Sequence, residues 1–71
     1  METITITTEF IRLQDLMKLS NMVASGGEAK MLIQDGQVAV NGEICLQRGR
    51  KLRPGDVVAY QGRTCTTAYA S

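Results

Sequence analysis

The sequence predicts an α+β domain, with a strand, two helices and then three or four short strands. Three observations carry this. Thr3-Ile4-Thr5-Ile6-Thr7 alternates polar and apolar residues with period two. Apolar residues recur at helical spacing at Phe10, Leu13, Leu16 and Met17, and again at Ala29, Leu32 and Ile33. From residue 38 onward short β-prone runs alternate with turn signals, the first being Asn41-Gly42.

The elements follow in order. The β-branched run 3–7 reads as a strand with one buried face. Thr7 or Thr8 offers an N-cap for a first helix over about 10–19. Asn21 to Ala24 form a short connection. Ser25 followed by Glu28 has the spacing of a capping box, in which each residue satisfies a backbone N–H of the other. The second helix then covers about 26–35, with Ala29, Leu32 and Ile33 as its apolar face and Gly36 as its left-handed stop. Val38-Ala39-Val40 is a strand, and Asn41-Gly42 turns it into a returning strand over 43–46. A two-residue turn pairs Val40 with Glu43 and Val38 with Cys45, which sends Ile44 and Leu46 to the opposite face. A bulge would avoid that, and both registers stay open. Residues 48–53 read as a basic loop, 54–56 as a turn, 57–60 as a strand, 61–63 as a turn and 64–69 as a last strand.

At 71 residues the chain is expected to be one domain, 1–71, with a small core. The net charge is +1, but it is unevenly spread. Residues 1–47 carry three basic and six acidic side chains, whereas residues 48–71 carry five basic ones and only Asp56. This asymmetry points to an anionic partner for the C-terminal half, although a solvated loop would show it too. Phe10, Tyr60 and Tyr69 are the only aromatics, too few for a platform that stacks several single-stranded bases. Cys45 and Cys65 are too few for a disulfide scaffold or a four-cysteine zinc site. With no signal peptide ahead of the domain, free thiols in the cytoplasm are expected. No apolar run approaches the roughly 20 residues of a membrane span.

Catalysis finds little support. The chain has no His, no Ser in a nucleophile elbow, no Cys beside an activating partner and no paired carboxylates. Gly26-Gly27 lacks the Lys-Ser/Thr ending of a nucleotide-binding loop. The expectation is a non-catalytic protein without cofactor or metal.

Two groups of residues suit a polyanion. Ser25-Gly26-Gly27-Glu28-Ala29-Lys30 opens a helix with two glycines that let a backbone approach closely, and a helix N-terminus attracts phosphate. A capped helix with a flexible entry explains the same residues. Arg48, Arg50, Lys51 and Arg53 place four cations in six residues, and the guanidinium fork fits phosphate. Arg12 and Lys18 lie on helix one. Helix ends plus a basic loop fit structured RNA read by shape and backbone, rather than DNA read by an exposed recognition helix.

Taken together, the order Ser25-Gly26-Gly27-Glu28-Ala29-Lys30, Ile33, Gly36, Val38, Val40-Asn41-Gly42, a basic stretch and Gly55-Asp56-Val57-Val58 resembles the RNA-binding domain named after ribosomal protein S4, also called the alpha-L motif. The resemblance runs from about Ile11 to Ala59 and is strongest to short bacterial members with Ser-Gly-Gly-Glu-Ala-Lys and Arg-Gly-Arg-Lys-Leu. It implies two helices packed on a small, mostly antiparallel sheet of four to five short strands, with structured RNA, ribosomal RNA above all, lying across the helices and the adjoining loop. The positions it implicates are Lys18, Ser25, Gly26, Gly27, Lys30, Asn41, Arg48, Arg50 and Lys51. Charge adds Arg12 and Arg53. One departure is that Arg12-Leu13 is followed by Gln14 and then Asp15, where many members have Arg-Leu-Asp, so the role of that Asp is not carried over. The implied protein is a cytoplasmic monomer acting in ribosome assembly or translation quality control, with the ribosomal subunit as a further partner. The alternatives are a module that docks on a ribosomal protein or assembly factor, and a β-grasp sulfur carrier. The latter needs a terminal Gly-Gly, whereas this sequence reads Tyr69-Ala70-Ser71.

Overall fold

A computed structural model describes residues 1–70. The elements are β1 (Glu2–Ile6), β2 (Ile11–Arg12), α1 (Leu13–Leu19), α2 (Gly26–Gln34), β3 (Val38–Val40), β4 (Glu43–Ile44), β5 (Lys51–Leu52), β6 (Val57–Tyr60) and β7 (Arg63–Tyr69). Five strands form one sheet in the order β1-β7-β6-β3-β4, and β2 pairs with β5 in a separate two-stranded ribbon. All pairings are antiparallel except β1 with β7, which is parallel. The core lies between the helices and one sheet face. It joins Leu13, Leu16 and Met17 of α1, Ala29 and Ile33 of α2, Val38, Val40, Val58 and Cys65 of the sheet, and Leu52 of the ribbon. No helix among the described residues is long and apolar enough to cross a membrane.

Several sequence expectations are corrected. Helix one does not begin at residue 10. Ile11 and Arg12 are drawn into β2 by pairing with Leu52 and Lys51, so α1 is only seven residues long. Its cap is not Thr7 or Thr8: Arg12 is the N-cap residue and makes no side-chain cap, while the Thr8 hydroxyl donates to the Phe10 carbonyl. The open N–H groups of Leu13 and Gln14 donate instead to the carbonyls of Arg50 and Arg48. In α2 the Ser25 hydroxyl accepts from Glu28 N–H as expected, but the Glu28 carboxylate takes the N–H of Ala24 rather than that of Ser25. Leu32 is only half-buried, and Ala29 and Ile33 form the buried face. The stretch 48–53 is not all loop, since Lys51 and Leu52 form β5 and Leu52 is fully buried.

Both helices end in the same way. After α1, Asn21 has φ +60°, its N–H donates to Lys18, and Met22 N–H donates to Met17. After α2, Gly36 has φ +77°, its N–H donates to Ile33, and Gln37 N–H donates to Leu32. This crossed pair of bonds is the Schellman closure. An alanine at Gly36 would meet only ordinary contact with Ile44, at 3.8 Å from its Cγ2, so the cost is conformational. Gly36→Ala should therefore destabilise the fold by about 1–2 kcal/mol, read as a lower melting temperature with an unchanged far-ultraviolet spectrum.

The hairpin register is settled without a bulge at the turn. Val40 pairs with Glu43 and Ala39 with Ile44, Cys45 N–H donates to the Val38 carbonyl, and Asn41 and Gly42 both have positive φ, as a type I′ turn requires. Cys45 joins Val38 and Val40 in the core, whereas Ile44 and Leu46 are each 59% exposed.

Candidate RNA-binding surface

The two-residue ribbon is short, but it decides where the cations go. Antiparallel pairing sets Arg12 directly across from Lys51. Directly opposed side chains lie on the same face with Cβ atoms roughly 5 Å apart. The bonds from Leu13 and Gln14 bind the Arg48–Arg50 backbone to the start of α1. Lys51 is held further by the ring of Phe10, 4.8 Å from its Nζ. The segment then turns at Pro54-Gly55, where Asp56 N–H donates to the Arg53 carbonyl. Asp56 also takes the Arg53 N–H through its side chain, which fixes the end of the basic segment. The backbones of Arg48, Arg50 and Lys51 are thus held beside Arg12 at the N-terminal end of α1, and Arg53 follows just beyond the ribbon.

The remaining predicted positions lie elsewhere. Lys18 is in the last turn of α1, about 9 Å along the axis from Arg12, and is paired with Asp15 at 3.5 Å. The connection to α2 leaves from that end. At the start of α2, Glu28 N–H and Ala29 N–H are taken by the hydroxyl and carbonyl of Ser25, while those of Gly26 and Gly27 point off the helix end. A Cβ on Gly26 would meet nothing within 4 Å, and one on Gly27 only the Ser25 hydroxyl at 3.9 Å. Internal packing therefore gives no reason for two glycines here. Lys30 is exposed one turn further on.

Asn41 is placed differently from the cations. Its Oδ1 accepts from Val57 N–H at 2.9 Å, and its Nδ2 donates to Asp56 Oδ1 at 3.1 Å. The other Asp56 oxygen accepts the Arg53 N–H at 2.8 Å. That bond, aided by Asn41 and the charges of Arg50 and Arg53, holds the Asp56 carboxyl below its ordinary pKa against the opposing effect of burial. A depressed folded value means that ionised Asp56 stabilises the fold above the ordinary carboxylate range. That contribution fades as pH falls through the folded value.

Arg63 carries the one positive charge of the C-terminal half that is withdrawn from this surface. Its Nη2 donates to both Glu2 carboxylate oxygens, at 2.7 and 2.8 Å, and to the Ser20 carbonyl at 2.8 Å. It fastens β7 and β1 to the end of α1, a role for which a lone Arg in a turn leaves no sequence signal. Both cysteines are buried free thiols, and burial, with the nearby Glu2 charge, raises the pKa of Cys65 against the pull of Arg63. A thiol shifted that way stays protonated at neutral pH and is a poor nucleophile. Among the described residues no three His, Cys, Asp or Glu side chains are grouped to hold a metal ion.

Comparison with known proteins matches residues 4–67 to the S4 domain family. The chain belongs to the S4 domain family. Over 59 residues, 83% of each chain, it is 46% identical to the Bacillus subtilis (strain 168) protein named "Probable ribosome maturation protein RlbA". It is 35% identical to YbcJ of Escherichia coli (strain K12) over 54 residues, 76% of this chain and 77% of YbcJ. The solution structure of E. coli YbcJ superimposes with a TM-score of 0.73 at 30% identity, covering 96% of this chain and 87% of that one. That structure is described as an alpha-L motif involved in RNA binding. The two-helix S4 architecture expected from the sequence is thus the one observed, with β1 and the length of β7 lying outside the 11–59 stretch on which the resemblance rested.

Proposed function

We propose that this S4 domain, residues 1–71 acting as one unit, binds structured RNA without catalysis. Its ligand is ribosomal RNA, and it acts as a cytoplasmic monomer during ribosome assembly or translation quality control. The observation that carries the reading is that the β2–β5 pairing and its flanking bonds bring the basic segment of Arg48, Arg50 and Lys51, with Arg53 just beyond, to Arg12 at the start of α1. Five cations, four of them within residues 48–53 with no acid between, make a local field that a phosphate backbone satisfies. The open Gly26 and Gly27 N–H groups and Lys30 form a second contact on α2, and Lys18 lies at the end of α1 that leads to it. The RNA-binding description of YbcJ and the ribosome-maturation name of RlbA agree with this assignment.

The test is a titration of labelled ribosomal RNA fragments at several salt concentrations. Five phosphate contacts should make log K fall with log salt with a slope on the order of −4. A slope near zero, or no binding at low salt, would sink the electrostatic site. A second reading, docking on a ribosomal protein or assembly factor, is favoured by one observation. Met31, Ile44 and Leu46 are exposed, and Met31 lines an open cleft of about 460 Å³ with Leu32, Gln34, Asp35 and Gln37. That reading predicts association with ribosomal particles that survives loss of the cationic cluster.

A further inference from the structure

Asp56 is an acid that follows the basic segment 48–53 directly, hydrogen-bonded to the Arg53 backbone, and there it opposes the attraction of a polyanion. Its position makes sense only if its geometry outweighs that effect. Its two oxygens hold different parts of the chain: Oδ2 takes the N–H of Arg53, the last cation of the basic segment, and Oδ1 takes the side-chain amide of Asn41 at the hairpin turn. Asn41 passes the connection on, with its Oδ1 on Val57 N–H and its own N–H on the Val57 carbonyl at 2.8 Å. The Arg53 carbonyl in turn accepts the Thr67 hydroxyl at 2.7 Å and the Asp56 N–H at 3.0 Å, so both backbone groups of Arg53 are held.

We propose that Asp56 and Asn41 are positioning residues for RNA binding, locking the Arg53 end of the basic segment to the β3–β4 turn without touching RNA themselves. This rests on the RNA-binding reading above, and it reassigns Asn41 from contact to support. Pure electrostatics and positioning predict opposite signs. Removing a negative charge from a cationic surface should tighten RNA binding and steepen its salt dependence. Losing the lock should weaken binding, because the cations are no longer held in register with the phosphates.

The experiment measures RNA affinity and melting temperature for the parent, Asp56→Asn, Asn41→Gly and the exchange Asn41→Asp with Asp56→Asn, all at a temperature where each is folded. In Asp56→Asn an amide faces the Asn41 amide, donor against donor. We expect affinity to fall about fivefold, the equivalent of one lost hydrogen bond of about 1 kcal/mol. Asn41→Gly keeps every charge and the positive φ of the turn, and should weaken binding similarly. In the exchange, Asp at 41 accepts from Val57 N–H and from the Asn at 56, whose carbonyl oxygen accepts from Arg53 N–H. The pattern and the net charge are restored, and affinity should return to within about twofold of the parent. Tighter binding by Asp56→Asn would show that Asp56 only neutralises charge. Unchanged affinity with a lower melting temperature would show a purely structural role. Failure of the exchange to restore binding while Asn41→Gly is impaired would show Asn41 in direct contact. Each of these overturns the inference while leaving the RNA-binding reading intact, whereas a parent that binds no RNA overturns both.

Discussion

Replacing Leu52 with alanine should unfold much of the population and remove RNA binding with it. Leu52 lies in the middle of the most basic stretch of the chain, between Lys51 and Arg53, yet its side chain has no exposed surface. It pairs with Ile11 in the ribbon and packs in the cluster that holds Leu13, Leu16 and Met17. Truncating a fully buried leucine costs about 2–5 kcal/mol. A domain of this size has only about 4–10 kcal/mol to lose. Thermal denaturation followed by circular dichroism should show a fall of more than about 10 °C. Ile33→Ala should behave in the same way, and Leu32→Ala should be milder, since Leu32 is half-buried beside the open cleft. A Leu52→Ala protein that melts like the parent would mean that the ribbon is not anchored in the core.

The second large effect is on binding alone. Combining Arg48→Ala, Arg50→Ala and Lys51→Ala should cost at least about a hundredfold in affinity for ribosomal RNA and flatten the salt slope by about 2–3. The backbone of this segment, not its side chains, caps α1, because the acceptors for Leu13 and Gln14 are carbonyls. The fold should therefore lose little beyond the contact of Lys51 with Phe10, worth about 0.5–1 kcal/mol. Arg63→Ala is the matched control. It removes one positive charge from the same half of the chain, but that charge is spent on Glu2 and the Ser20 carbonyl. It should lower stability and leave affinity per folded molecule almost unchanged. If the triple variant binds like the parent while folded, the surface is wrong and docking through Met31, Ile44 and Leu46 becomes the better account.

Local patterns were enough for much of this fold. The Ser25–Glu28 cap, the Gly36 stop, the Asn41-Gly42 turn and the two-residue alternation of β1 each depend on chemistry within a few residues. The order of motifs also identified the family, and the charge asymmetry marked the basic segment. Long-range bonds decided the rest. The apolar period from Phe10 to Met17 is equally good for a longer helix. Only pairing with residues 51 and 52, some forty positions away, turns Ile11 and Arg12 into strand. The face taken by Ile44 and Leu46 depended on a register that residues near the turn left open, and the unbulged pairing places them opposite Val38 and Val40.

The same division runs through the candidate surface. Sequence alone determined that four cations crowd into residues 48–53 and that two glycines open α2, because charge density and missing side chains are properties of the chain itself. It named Arg12 by charge, but it could not say that Arg12 lies across from Lys51, that Arg63 is bound to Glu2 and Ser20, or that Asn41 hydrogen-bonds Asp56. Those outcomes depend on which backbone and side-chain groups are within about 3 Å of one another after folding. Hydrogen bonds and ion pairs between residues 15 to 61 positions apart leave no periodicity to read, so only the tertiary structure separates cations free to meet a phosphate from those already satisfied within the protein.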